Sequence, residues 1–157
     1  MKKLITILLV AVVFTACDEA SQNQIANIKT VSQRIEDLGK SVDAIKAMEE
    51  SEALFKEDEF LLEYEYPIRD NESYVITYRF HNNACNEIKI DTYLNKESHT
   101  KKVQAEIMAD IANNDEFGRG NIKNDIIKWT SKTRKVKLEL NAQSIERGTI
   151  SLVIHSK

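Results

Sequence analysis

The sequence predicts an α+β fold: a small antiparallel sheet of about five strands with one or two helices on one face, preceded by a long amphipathic helix. Three observations lead there. Apolar residues from Ile28 to Ile45 recur every three or four positions, the period of one helix face. From Phe60 onward the period changes to two, the period of a strand with one buried face. The polar breaks between these later segments are short, which suits antiparallel neighbours.

The first sixteen residues stand apart from that domain. Lys2 and Lys3 precede an uncharged, mostly apolar run from Leu4 to Ala16. Such a run has the length of a secretory h-region and is too short to cross about 30 Å of hydrocarbon as a helix. It ends at Phe14-Thr15-Ala16-Cys17. This ending resembles the lipobox of bacterial lipoproteins, in which an apolar residue and two small residues precede a cysteine. The first of these positions is usually Leu in that class and is Phe14 here.

The resemblance covers the leader alone. It implies a signal peptide over residues 1–16, a diacylglyceryl group on the Cys17 sulfur, cleavage before Cys17 and acylation of the new amino group by a palmitate-type chain. It therefore implies a cell-envelope protein whose partner is a membrane, held through a lipid anchor. Asp18 follows the cysteine. Enteric-type bacteria read an aspartate there as a signal for the inner membrane and other bacteria do not, so inner and outer membrane both stay open. Each buried methylene contributes about 0.8 kcal/mol, so two or more chains anchor stably.

Charge is uneven along the remainder. Residues 18–72 hold 15 acids and 6 bases, whereas residues 73–157 hold 10 acids and 14 bases. An envelope location and a net charge of −3 for the whole chain argue against a nucleic-acid partner. With Cys17 lipidated, Cys85 is the one remaining cysteine, so no intrachain disulfide forms.

Residues 17–59 read as lipid anchor and tether, and residues 60–157 as the α+β domain. Ile28, Val31, Ile35, Leu38, Val42 and Ile45 make an a/d seam with polar residues between them, and Ile25 and Met48 extend it. A helix of that length spans roughly 40 Å. Gly39 inside it costs about 1 kcal/mol relative to Ala. Such a seam faces either a second copy, in a weak parallel coiled coil through residues 25–48, or this chain's own sheet. The acidic run from Glu49 to Glu59 reads as a linker. Strands follow over Leu62–Tyr66, Tyr74–His81 and Ile88–Ile90, then a helix carrying Val103, Ile107 and Ile111. A short amphipathic turn with Ile122, Ile126 and Trp129 comes next. Val136–Leu140 and Ile150–Ile154 close the chain as a hairpin.

Catalytic signatures do not emerge. His81, His99 and His155 are scattered, with no HExxH or CxxC spacing for a metal. Asn113, Asp115 and Gly118 sit at EF-hand-like offsets, but Phe117 has no oxygen ligand for position 5 and Asn124 stands where position 12 requires a bidentate Glu. Glu63 and Glu65 share a strand face and read as a solvated pair. Lys128, Lys132, Arg134, Lys135 and Lys137 form a basic run near Trp129, either a charged strand edge or a contact for anionic groups. The expectation is thus a non-enzymatic envelope lipoprotein without cofactor, whose domain binds an unknown envelope protein. A structural spacer acting through the heptad helix and a small-ligand-binding lipoprotein are the alternatives. The heptads and the terminal Lys157 resemble the peptidoglycan-linked lipoprotein, but the resemblance covers only these, and the folded domain between them argues against covalent linkage to the wall. Metabolic labelling with a fatty-acid probe tests the anchor: the wild type takes up label and Cys17→Ser does not.

Overall fold

A computed structural model describes residues 29–69 and 71–156. The lipidation position Cys17, Ile25 and Ile28 of the seam, and Lys157 lie outside them. The described chain is dominated by one antiparallel sheet of eight strands, in the order β1-β2-β3-β4-β8-β7-β6-β5. The first meander comprises β1 (Leu54–Asp58), β2 (Leu61–Arg69), β3 (Glu72–His81) and β4 (Ala84–Tyr93). The second comprises β5 (Asn121–Lys123), β6 (Ile126–Thr130), β7 (Val136–Ser144) and β8 (Thr149–Ser156). They join where β4 pairs with β8.

Cross-strand register explains why these strands form one surface. Leu54, Tyr64, Ile76, Ile90, Leu152, Leu140, Ile127 and Ile122 stand opposite one another in a row that crosses all eight strands. A second row runs Leu62, Tyr78, Ile88, Ile154, Leu138 and Trp129. The period of two puts both rows on one face, so a slip of one residue would turn their buried members to water, whereas Ile122 on the edge strand is already exposed. On the other face charges alternate across strands: Lys128 pairs with Glu139 at 2.6 Å and Arg79 with Glu87 at 3.1 Å.

Three helices cover the apolar face: α1 (Val31–Ile35), α2 (Val42–Lys46) and α3 (Glu97–Ala112). The expected long helix is absent among the described residues. Thr30 caps α1 through a capping box with Gln33, and Ser41 caps α2 by accepting from the Ala44 N–H at 3.2 Å. Between them Gly39 has φ +84, so it ends a helical segment rather than weakening one. Its N–H donates to the Cys85 carbonyl at 2.7 Å, and the Cys85 N–H donates to Lys40 O at 2.8 Å, fastening the break to β4. The seam residues Val31, Ile35 and Ile45 are buried in the chain's own core, with Leu38 and Val42 packed against it. Those three side chains are packed on the sheet rather than left wet on a lone helix.

Eight strands replace the expected five for two reasons. The acidic run contains β1, an edge strand in which charged side chains face water and Leu54 joins the core. The segment with Ile122, Ile126 and Trp129 is the β5–β6 hairpin rather than a helical turn. Asn124 and Asp125 both have positive φ (50 and 58), as a two-residue type I′ turn requires. Asn82 and Asn83, at 51 and 58, make the same turn between β3 and β4. The core thus reaches N-terminal to residue 60, into the segment read as a tether.

Gly148 shows how tightly the second meander docks. It has φ +77, and a Cβ there would lie 1.7 Å from the Leu94 carbonyl oxygen, whose own N–H donates to Gly148 O at 2.8 Å. Gly118 has open space around it. Gly148→Ala therefore lowers unfolding free energy by about 2 kcal/mol or more, while Gly118→Ala stays within about 1 kcal/mol, as urea titration will show.

Candidate ligand-binding site

Tyrosines in the apolar rows bring hydroxyls into the core, and buried hydroxyls need partners. The helical segment supplies them. Arg34 Nη1 donates to Glu49 Oε1 at 2.6 Å and also to the Tyr78 hydroxyl, and lies 3.6 Å from Asp37 Oδ2. Tyr78 donates to Glu49 Oε1 at 2.6 Å and Tyr66 to Glu49 Oε2 at 2.5 Å. Lys29 and Lys40 reach Asp37 at 3.0 and 2.7 Å. Arg34 and Asp37 are 2% and 1% exposed, so these charges exist only because they are paired. Burial alone would push the Glu49 carboxyl up; Arg34 and the hydroxyls of Tyr66 and Tyr78 outweigh it and hold it at about 2. Burial, followed by the opposing charge of Arg34 and the reinforcing charge of Glu49, leaves the Tyr78 hydroxyl well above the usual phenol range.

The inventory is not fully satisfied. Among the described residues the bonds of the Arg34 guanidinium run through Nη1, and Nε is buried without a partner. Tyr64 OH is also buried and unpartnered.

Helix α3 is held at its two ends. At the start, the buried Glu72 accepts from the Asn95 N–H at 2.9 Å and from Arg69 Nε at 2.6 Å, and meets His99 Nδ1 at 3.0 Å. Burial opposes the Glu72 charge, but these donors keep its carboxyl at about 2. At the far end, Asp110 accepts from the Ser32 N–H at 3.2 Å and Asn114 donates to Ser32 Oγ at 3.0 Å. Between these clamps a helix of 16 residues buries only Thr100 and Ile111. Under its middle lies an apolar chamber of about 210 Å³. Val103 and Ile107 line it from above and Ile90 and Leu152 from the sheet. Beside it a polar chamber of about 290 Å³ is lined by Arg34, Glu49, Tyr66 and Met48, among others. Lys29 and Tyr74 belong to the walls of both. Tyr74 stacks on Tyr66, with ring centroids 5.0 Å apart.

A third, more open cleft of about 640 Å³ lies at the sheet end, where Ile35, Leu38, Ala84 and Val136 meet His81, Arg134 and Lys135. The basic run does not form one patch. Lys128 is paired on the outer sheet face, Lys132 donates to Asp115 O at 2.9 Å, and Arg134 bonds Glu36. Glu63 and Glu65 are likewise engaged, with Thr77 at 3.3 Å and Ser73 at 3.0 Å. His99 belongs to the Glu72 cluster, His81 to the cleft, and His155 to the outer face opposite Lys137. Cys85 is buried, and burial pushes its thiol up to about 12, away from the reactive thiolate. Among the described residues no group of three or more His, Cys, Asp or Glu could hold a metal, and no helix is long and apolar enough to cross a membrane.

Compared with family models, curated proteins and solved structures, the chain matches none. The cluster was missed in the sequence because Arg34 and Asp37 lie between seam positions and read as its wet side, and Glu49 opens the acidic run read as a linker. The signal that could have found them was the row of Tyr64, Tyr66, Tyr74 and Tyr78, each needing a hydroxyl partner.

Two measurements follow from the ion pairs. Arg34→Ala strands the buried Glu49 charge and lowers stability by about 3–5 kcal/mol; Lys56→Ala, at an exposed pair, changes it by less than about 1 kcal/mol. Glu49 and Glu72 have folded values near 2 against an ordinary 4.5. A depressed carboxyl stabilises the fold above its unfolded value and loses that contribution as pH falls through the folded one. Wild-type stability therefore declines from about pH 4.5 toward pH 2, and Glu49→Gln, weaker at neutral pH, declines less steeply over that window.

Proposed function

We propose that this chain is a lipid-anchored cell-envelope lipoprotein whose domain is a non-enzymatic binding module for a small ligand, taken up between α3 and the sheet. The single observation that carries the reading is α3 itself, pinned at both ends by polar contacts while its apolar middle roofs a chamber. Ligand sites are concave, mostly apolar and furnished with a few fixed polar groups, and the two adjoining chambers have that composition. The spacer alternative depended on a long heptad helix; the described residues instead place Val31, Ile35 and Ile45 in the domain core.

A lipid at Cys17 would leave residues 18–28 as the leash. Fully extended, they reach roughly 40 Å, so the domain stays close to the bilayer. Lys29, where the described chain begins, lines both chambers. A second reading, docking of an envelope protein, is favoured by the open cleft, where Arg134 and Lys135 stand beside apolar Ile35, Leu38 and Val136.

Extraction of the lipoprotein from its membrane in mild detergent, followed by native mass spectrometry, tests the ligand reading. The wild type carries a bound small molecule that is released on unfolding. Ile107→Trp, which fills the chamber from its half-buried rim, carries none. Wild-type protein that is empty, or a molecule retained at full occupancy by Ile107→Trp, defeats it.

A further inference from the structure

We infer that this domain pairs with a second copy of itself through β5, edge to edge about a two-fold axis, so that two eight-stranded sheets become one. The inference goes beyond the ligand reading and does not rest on it, since no residue of β5 lines either chamber.

An open sheet has two edges, and here they are built differently. At β1 the register shifts at Phe55, and Glu57 stands opposite Leu62 on the helix-covered face, where it pairs with Lys46 of α2. A bulge and an inward-pointing charge are devices that keep an edge from taking up another strand. β5 has neither. Its register with β6 is regular through all three residues, and the side chain on its apolar face is Ile122, 66% exposed.

Backbone geometry fixes which groups of β5 are free. Asn124-Asp125 is a two-residue turn, so its flanking residues Lys123 and Ile126 bond to each other. The Ala142 N–H donates to Asp125 O at 2.9 Å, so Asp125 turns toward β7 and Ile126, the next residue, toward β5. Alternation then points the Ile122 N–H and C=O away from β6, off the open edge. Two copies laid antiparallel with Ile122 opposite Ile122 exchange hydrogen bonds through these groups and bury the two isoleucines against each other.

That register is also self-complementary in charge. Asn121 comes opposite the partner's Lys123, and Arg119 comes toward the partner's Asp125, each contact occurring twice through the symmetry. Arg119 and Asp125 are exposed and make no ion pair among the described residues. The same arrangement at β1, centred on Glu57, would set two carboxylates face to face. A two-fold axis normal to the sheet keeps both helical layers on one side. Lys29 belongs to that layer, bonded to Asp37, so both lipid anchors could reach one bilayer. The contact is small, and confinement in a membrane plane raises the effective concentration that it needs. The blunted β1 edges then end the joined sheet, and the assembly closes as a dimer instead of growing.

Disulfide trapping in the full-length chain, oxidised in intact cells, tests the inference. A hydrogen-bonded antiparallel pair sets its Cα atoms about 5.5 Å apart, within disulfide reach. All variants carry Cys85→Ser, and the dimer formed by that parent is the baseline. Above it, Ile122→Cys gives about fivefold more covalent dimer than Glu57→Cys, because only the first position is held opposite itself. Asn121→Cys cross-links with Lys123→Cys when the two chains are coexpressed, and neither cross-links alone. No dimer above the baseline from Ile122→Cys, or equal trapping at positions 122 and 57, overturns the inference. A dimer that needs Ile122→Cys on one copy and Glu57→Cys on the other assigns head-to-tail pairing of β5 with β1 and overturns the two-fold dimer as well.

Discussion

The Arg34–Glu49 pair is the interaction on which the arrangement of this domain depends. Glu49 lies just after α2 and Arg34 within α1, so their contact closes the helical segment on itself. Through the hydroxyls of Tyr66 and Tyr78 the same carboxylate fastens that segment to β2 and β3. Two charges this deep are not a cheap source of stability, because desolvation cancels much of their attraction. What they supply is registration. Apolar packing of Val31, Ile35 and Ile45 on a sheet of branched side chains tolerates many small shifts. A carboxylate that must meet a guanidinium and two phenols at about 2.5–2.6 Å tolerates few.

The same need to cover the sheet explains the broken helix. One straight helix of the expected length would outrun the width of the sheet's apolar rows and leave its ends wet. Two short helices with a bend at Gly39 fold the seam over the rows instead. The 3–4 spacing picked out Val31, Ile35 and Ile45, which are buried, but not Met48, which is exposed, and it implied one continuous helix, because periodicity reports which face is apolar and is blind to a change of axis. Gly39 and the Ser41 cap were visible beside the seam; the tie from the bend to Cys85 lies across 46 residues of chain and had no local sign.

Strands were legible where alternation was long and the turn chemistry plain, as in Tyr74–Phe80 with Asn82-Asn83. Two failed for separate physical reasons. In β1 the edge position lets charged residues occupy both faces, so a strand looks like an acidic linker. In β5–β6 the apolar residues Ile122, Ile126 and Trp129 mimic helical spacing only because a two-residue turn lies between Ile122 and Ile126; Asn124-Asp125 was the signal that outweighed it. The site was less legible than the fold. Its polar members come from α1, the segment after α2, and β2 and β3, and its apolar wall from α3 and β8, which are joined only by tertiary packing.

Two buried polar atoms lack partners, and they do not mean the same thing. Tyr64 OH sits on the central row and lines neither chamber; burial, then Glu49 and Glu57, push it up to about 12, so it stays a neutral hydroxyl. An unmade bond to a neutral group costs about 1–3 kcal/mol, which a core of this size absorbs. Arg34 cannot become neutral, since its pKa is raised further: burial opposes the charge, and Tyr78 and Glu49 outweigh it. Its unpartnered nitrogen is sealed in the packing and has almost no surface open to the chamber that the side chain walls. A fold that needed Arg34 only as a clamp would be served by Nη1 alone and could close α3 onto the sheet with bulkier residues at positions 103 and 107. This chain instead holds α3 by its ends and leaves the space beneath its middle open.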